Sequence, residues 1–122
     1  MALIETTIIS YLNSYAGITC PVYGDTPRGD LPDASYILVQ KSGSSCRDHV
    51  HSAMIVIQSI SASSKASAAA LNEIVVGAMA DLITLDDVFS CRLNSDYDFT
   101  DVTTKRYRYQ AVFNVTYTRE AN

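Results

Sequence analysis

The chain reads as an α+β domain: a mixed, mainly antiparallel sheet of four to five strands with two helices packed on one face. Three observations carry that reading. Lys105 to Arg119 alternates strictly, with Tyr107, Tyr109, Ala111, Phe113, Val115 and Tyr117 on one face and Arg106, Arg108, Gln110, Val112, Asn114 and Thr116 on the other. Period-2 alternation in aromatic and β-branched residues, free of Gly and Pro, is a strand signature. Helical periodicity occurs twice, once before the first strand and once between the third and fourth. Turn-forming clusters at Gly24–Asp33 and Ser42–Ser45 suit hairpins, and hairpins pair antiparallel. Strands and helices in that order make two layers around one core.

Ala2 to Tyr15 places Ile4, Ile8, Leu12 and Tyr15 on one face at helical spacing, and Gly17 would end the helix. The β-branched run from Thr6 to Ile9 weakens it. Thr19 to Tyr23 is a short strand. Ser35 to Lys41 is a second, and its apolar run Tyr36-Ile37-Leu38-Val39 predicts burial on both faces. His49 to Ile60 is a third, with Met54, Val56, Gln58 and Ile60 on one face and Ile55 and Ile57 on the other. Ser61 to Ser64 supplies N-caps for a second helix ending near Ile83. Its expected stripe is Leu71, Ile74, Val75, Ala78, Met79 and Leu82. Gly77 either permits close packing or is merely tolerated, at a cost of about 1 kcal/mol. Asp86 and Asp87 open the return, Val88 to Leu93 is the fourth strand, and Asn94 to Thr104 is a polar, acidic connection. Fully extended, the final fifteen residues to Arg119 would span roughly 50 Å, beyond the ~35 Å diameter of a domain this size. Such a strand either bends or outruns its core, and one that outruns its core has something to pair with or pack on.

The 122 residues suit a single domain, 1–122. Apolar residues make up 48% and charged residues only 18%, which leaves neutral surface of the kind interface centres use. A net charge of −4 argues against a dedicated nucleic-acid binder, because phosphate neutralisation needs clustered Lys and Arg. No unbroken apolar run reaches membrane-spanning length, and Met1 to Glu5 lacks a basic leader, so a cytoplasmic site of synthesis is expected. Cys20, Cys46 and Cys91 are odd in number and widely spaced, which is not a disulfide framework.

Candidate chemistry is sparse. Cys46, His49 and His51 could seed a zinc or hydrolytic centre, with Cys46–His49 the conceivable couple, but a full tetrahedral set and a nucleophile elbow are lacking. Asp96, Asp98 and Asp101 could offer oxygen ligands to a hard cation, without the Gly or bidentate Glu of an EF-hand. A solvated acidic loop, or pairing with Arg106 and Arg108, is the plainer use of these acids. The five glycines form no Gly-x-Gly cradle. The expectation is no enzyme, no metal and no cofactor.

The order and spacing of these pieces resemble the tail terminator (tail completion) proteins of long-tailed bacteriophages. The likeness runs over nearly the whole chain. It covers Tyr11-Leu12-Asn13, then Val22-Tyr23-Gly24-Asp25-Thr26-Pro27 and Tyr36-Ile37-Leu38-Val39. It continues through Ala53 to Ser59, through Ser63-Ser64-Lys65-Ala66 into the helix ending Ala78-Met79-Ala80-Asp81-Leu82, and ends in Arg106-Tyr107-Arg108-Tyr109-Gln110. The resemblance implies a homo-oligomeric ring, a hexamer, that caps the tail tube, stops its elongation and forms part of the head–tail joint. The implied partners are the tube protein and the connector or stopper, with DNA passing through unbound and no membrane involved. The implied place is the neck of the virion, assembled in the host cytoplasm. Ring contacts are expected at Asp25, Arg28, Arg106, Arg108, Tyr109 and Tyr117.

Overall fold

The computed structural model of the chain describes residues 4–24, 35–48, 50–61, 64–85, 88–98 and 107–118. It is a five-stranded mixed sheet with two helices on one face. Helix α1, Ile4–Asn13, buries Ile4, Ile8 and Leu12, the i, i+4, i+8 stripe read from the sequence. It stops two residues short of Tyr15 because Asn13 turns to the next strand. Asn13 Nδ2 donates to Val22 O at 3.4 Å, and Val22 N donates to Asn13 Oδ1 at 3.3 Å. That pair pins strand β1, Val22–Tyr23, beside the helix end.

Strand β2, Tyr36–Arg47, runs parallel to β1, with Val22 opposite Ile37 and Tyr23 opposite Leu38. The expected antiparallel hairpin is therefore corrected. Twelve residues separate Tyr23 from Tyr36, enough chain for the crossover a parallel pair requires. Tyr36 to Val39 are all buried, as the continuous apolar run implied.

Strand β3, Val50–Ser61, pairs antiparallel with β2. The turn is not at Ser42–Ser45. Those residues continue β2, and their Gly and Ser signal marks a register shift between Lys41 and Gly43. A bulge uses the same residue types as a turn. The chain reverses beyond Asp48, whose φ of 53° lies in the left-handed region that Asp tolerates.

Helix α2, Lys65–Ala80, is capped by Ser64, whose Oγ accepts from Ser67 N at 3.0 Å. A 3-10 helix, Asp81–Thr84, follows and buries Leu82. Val75, Ala78, Met79 and Leu82 of the expected stripe are buried, and the first turns of α2 bury Ala68 and Asn72 in place of Leu71 and Ile74. Leu71 is half-buried and Ile74 exposed. The stretch Lys65–Thr84 is long and apolar enough to cross a membrane by composition alone, yet its inner face packs on strands.

Gly77 is exposed, and a Cβ there would meet nothing within 4 Å outside its own helix. It is tolerated rather than needed for packing. Gly77→Ala is expected to raise stability by about 0.5–1 kcal/mol, read as a higher urea midpoint at unchanged m-value.

Strand β4 is Val88–Asp98 and β5 is Tyr107–Thr118. The first extends five residues past Leu93, into what read as a polar connection. Acidic residues are poor strand formers, but pairing of Asp96 with Ala111 and Asp98 with Tyr109 overrides that preference. The sheet order is β1-β2-β3-β5-β4. The long last strand is thus interior, paired antiparallel on both sides with β3 and β4. It outruns the helices, not the sheet, and has no free edge.

The main core lies between the helices and the face carrying Ile37, Val39, Ile55, Ile57, Phe113 and Val115. A small second cluster of Tyr36, Leu38 and Ile60, with Tyr23 against it, lies on the opposite face.

Candidate interaction surface

Both helices pack on one face; on the opposite face Tyr36, Leu38, Ile60 and Val112 are buried, while Met54 and Tyr97 are exposed. In register across it lie Gln58 of β3, Gln110 of β5 and Tyr97 of β4. Gln58 Nε2 donates to Gln110 Oε1 at 3.0 Å, and Gln110 Nε2 donates to the Tyr97 hydroxyl. Arg108 Nη1 reaches Gln58 Oε1 at 3.5 Å. This polar ladder crosses three strands and orients four side chains. Tyr97, at the end of the ladder, is 42% exposed, and Met54, four residues before Gln58 on β3, is 41% exposed. At the outer strand Phe89 and Leu93 are also exposed. Beyond the helices, Gln40 and Ser42 to Asp48 of the β2–β3 hairpin are exposed as well.

The expected contact residues divide. Asp25, Arg28 and Arg106 lie outside the described residues, as does Asp101. Arg108 is half-buried in the ladder just described, so part of its role is inside the subunit. Tyr109 is half-buried on the helix face, opposite Ser59 and Asp98. Tyr117 is 4% exposed and belongs to the core, so its side chain is not a surface contact. Asp96 and Asp98 do not sit on the face of Arg108. Asp96 Oδ2 accepts from Asn72 Nδ2 at 2.9 Å, and Asp98 Oδ2 meets Lys65 Nζ at 2.7 Å. Two residues apart on a strand, both acids point at α2 and tie it to the outer strand. The ion pair raises the affinity of Lys65 for its proton, through the hydrogen bond first and the Asp98 charge second.

A groove of about 610 Å³ beside β2 is lined by Glu5, Thr6, Gln40, Lys41 and Val56. Its charged pair is Lys41 and Glu5, 3.9 Å apart, which neutralise each other. Such a groove offers no activated nucleophile.

Cys46 and His51 are brought together across the hairpin, Sγ to Nε2 3.6 Å. The sequence offered Cys46–His49 as the conceivable couple, and His49 lies outside the described residues. With Arg47 opposite Val50, Cys46 falls opposite His51, and Asp48, at a positive φ, was the signal that could have found it. Among the described residues, no group of three or more His, Cys, Asp or Glu gathers as metal ligands would. The polar ladder had no sequence signal at all, since Gln58, Tyr97 and Gln110 meet only through sheet order.

The other two thiols are half-buried. Burial pushes Cys91 up from 9.0 to about 11. Below pH 9 folded and unfolded chains both keep this proton. From pH 9 to about 11 only the unfolded chain loses it, so stability falls as pH rises. Tyr11 is also raised, by burial first and then by Asp81, and adds to the fall above its ordinary value of 10.0. Thermal melts across this window are expected to show a shallower alkaline decline for Cys91→Ala than for the wild type.

No protein-family model matches this chain, and no curated protein sequence matches it. The observations define its class as a small α+β domain whose described helices both pack on one face of the sheet.

Proposed function

We propose that this protein is a ring-forming structural component of the tail-terminator type. It would cap the tail tube of a long-tailed bacteriophage, stop tube growth and contribute to the head–tail joint. One observation carries the reading. The described helices pack on a single face, and the opposite face presents Met54 and an ordered polar ladder ending in the exposed Tyr97 to solvent. A surface with an apolar element and pre-oriented polar groups suits a protein joint.

Ring closure needs two different patches that fit each other. This chain has two at opposite ends of the sheet: the β4 edge with Phe89 and Leu93, and the exposed β2–β3 hairpin. The edge offers main-chain hydrogen bonds, which the interior β5 cannot. The net charge of −4 per chain would give roughly −24 to six copies, which disfavours adhesion of passing DNA.

The test is mass in solution by light scattering, joined to electron microscopy. The expected particle is about 80 kDa, six times the 13.3 kDa chain, and images as a ring. A monomer at all concentrations would sink the reading. So would rings that fail to arrest the growth of tail tubes. The competing reading is a metal or hydrolytic centre at Cys46, His49 and His51. Stoichiometric zinc in the purified protein would favour it.

A further inference from the structure

We propose that Cys46 and His51 form a reactive-thiol site near the turn of the β2–β3 hairpin, one that exchanges with low-molecular-weight disulfides. Cys46 is exposed, and its Sγ lies 3.6 Å from His51 Nε2. The two are directly paired across the antiparallel ladder, so the backbone sets their separation. The imidazole is held as well. It stacks on Tyr117, ring centroids 5.2 Å apart and planes 18° apart, and Tyr117 is anchored in the core. An exposed thiol beside a fixed imidazole is the arrangement that makes cysteines nucleophilic. The other two cysteines lack it. Cys20 and Cys91 are half-buried, and burial raises both, so they hold their protons.

The chemistry balances without an added oxidant. With the ring proton on Nδ1, Nε2 accepts the proton of the Cys46 thiol. The Sγ thiolate attacks one sulfur of the disulfide. A new Sγ–S bond forms as the old S–S bond breaks, and the departing thiolate takes up a proton. The product is Cys46 in a mixed disulfide, reversed by any small thiol. Stacking fixes the imidazole beside the sulfur, so its help costs little ordering entropy.

An aromatic disulfide that releases a coloured thiolate tests the site on the intact protein. One of the three thiols is expected to react in a distinct fast phase, absent from Cys46→Ser. His51→Ala is expected to slow that phase about tenfold at neutral pH, below the range for evolved general bases. His51→Phe keeps an aromatic ring against Tyr117 but has no base, and should slow it equally. In denaturant, wild type and both His51 variants should react alike. A fast phase that survives Cys46→Ser overturns the proposal. Wild-type rates in folded His51→Phe do the same, whatever happens to His51→Ala.

Discussion

Truncation after Val115 is expected to unfold the chain, not simply to weaken its association. The interior place of β5 makes the difference. Its last residues pair on both sides: Thr116 with Ser52 and Ser90, Tyr117 with His51 and Val88, and Thr118 with Val50. Removing them strips two ladders at once and exposes the core side chains under Tyr117. Tyr117→Ala alone should cost about 3–5 kcal/mol, as large aromatic-to-alanine changes in cores do. Against a total stability of about 5–15 kcal/mol, that is a large fraction. The melting temperature should fall by about 12–20 °C, at about 4 °C per kcal/mol for a domain of this size. Tyr117→Phe is the informative control. The hydroxyl is buried without a hydrogen-bond partner among the described residues. Deleting it should therefore be neutral or stabilise by up to about 1 kcal/mol. Circular dichroism and urea titration check all three variants. A truncated protein with the wild-type midpoint would show that the end of β5 is dispensable.

Met54→Asp is expected to dissolve the proposed ring while leaving the subunit folded. Met54 lies mid-strand on the face opposite the helices, exposed between Gly43 of β2 and Asn114 of β5. In a lone subunit its side chain already meets water, so the change should cost about 1 kcal/mol, mostly in strand propensity. Inside a joint, an unpaired carboxylate would be buried at a cost of about 3–5 kcal/mol. At 1.4 kcal/mol per tenfold, that weakens each joint by more than about a hundredfold. Light scattering should report monomers where the wild type forms rings, with unchanged far-ultraviolet dichroism. Rings that persist at the same concentration would place the joint elsewhere on the subunit.

Much of the fold was legible in the residues. The face of β5 with Ala111, Phe113, Val115 and Tyr117 was read from alternation, and all four are buried. The stripe Ile4, Ile8 and Leu12 was read from helical spacing, and Ser64 from its capping chemistry. These are local properties: the period of side chains and the needs of a helix end. The failures share a cause too. Gly43 with its serines looks the same whether the chain turns or bulges. Asp96 and Asp98 looked like loop because their strand partners are distant in sequence. The site fared worse than the fold. Arg108 and the two acids were paired on proximity in the chain, yet a sheet sends Arg108 to one face and Asp96 and Asp98 to the other.

The sequence by itself determined the class of this protein, its two helices, its long alternating strand and the absence of a glycine-rich cradle. These follow from short-range sterics and from which side chains leave water. Only the tertiary structure decided that β1 runs parallel to β2, that β5 is interior, and that α2 turns Asn72 inward. Each depends on strand order and register, and those are set by the collective burial of one sheet face against two helices. No window of residues contains that information, because the partners stand far apart in the chain, as His51 does from Tyr117 and Gln58 from Gln110.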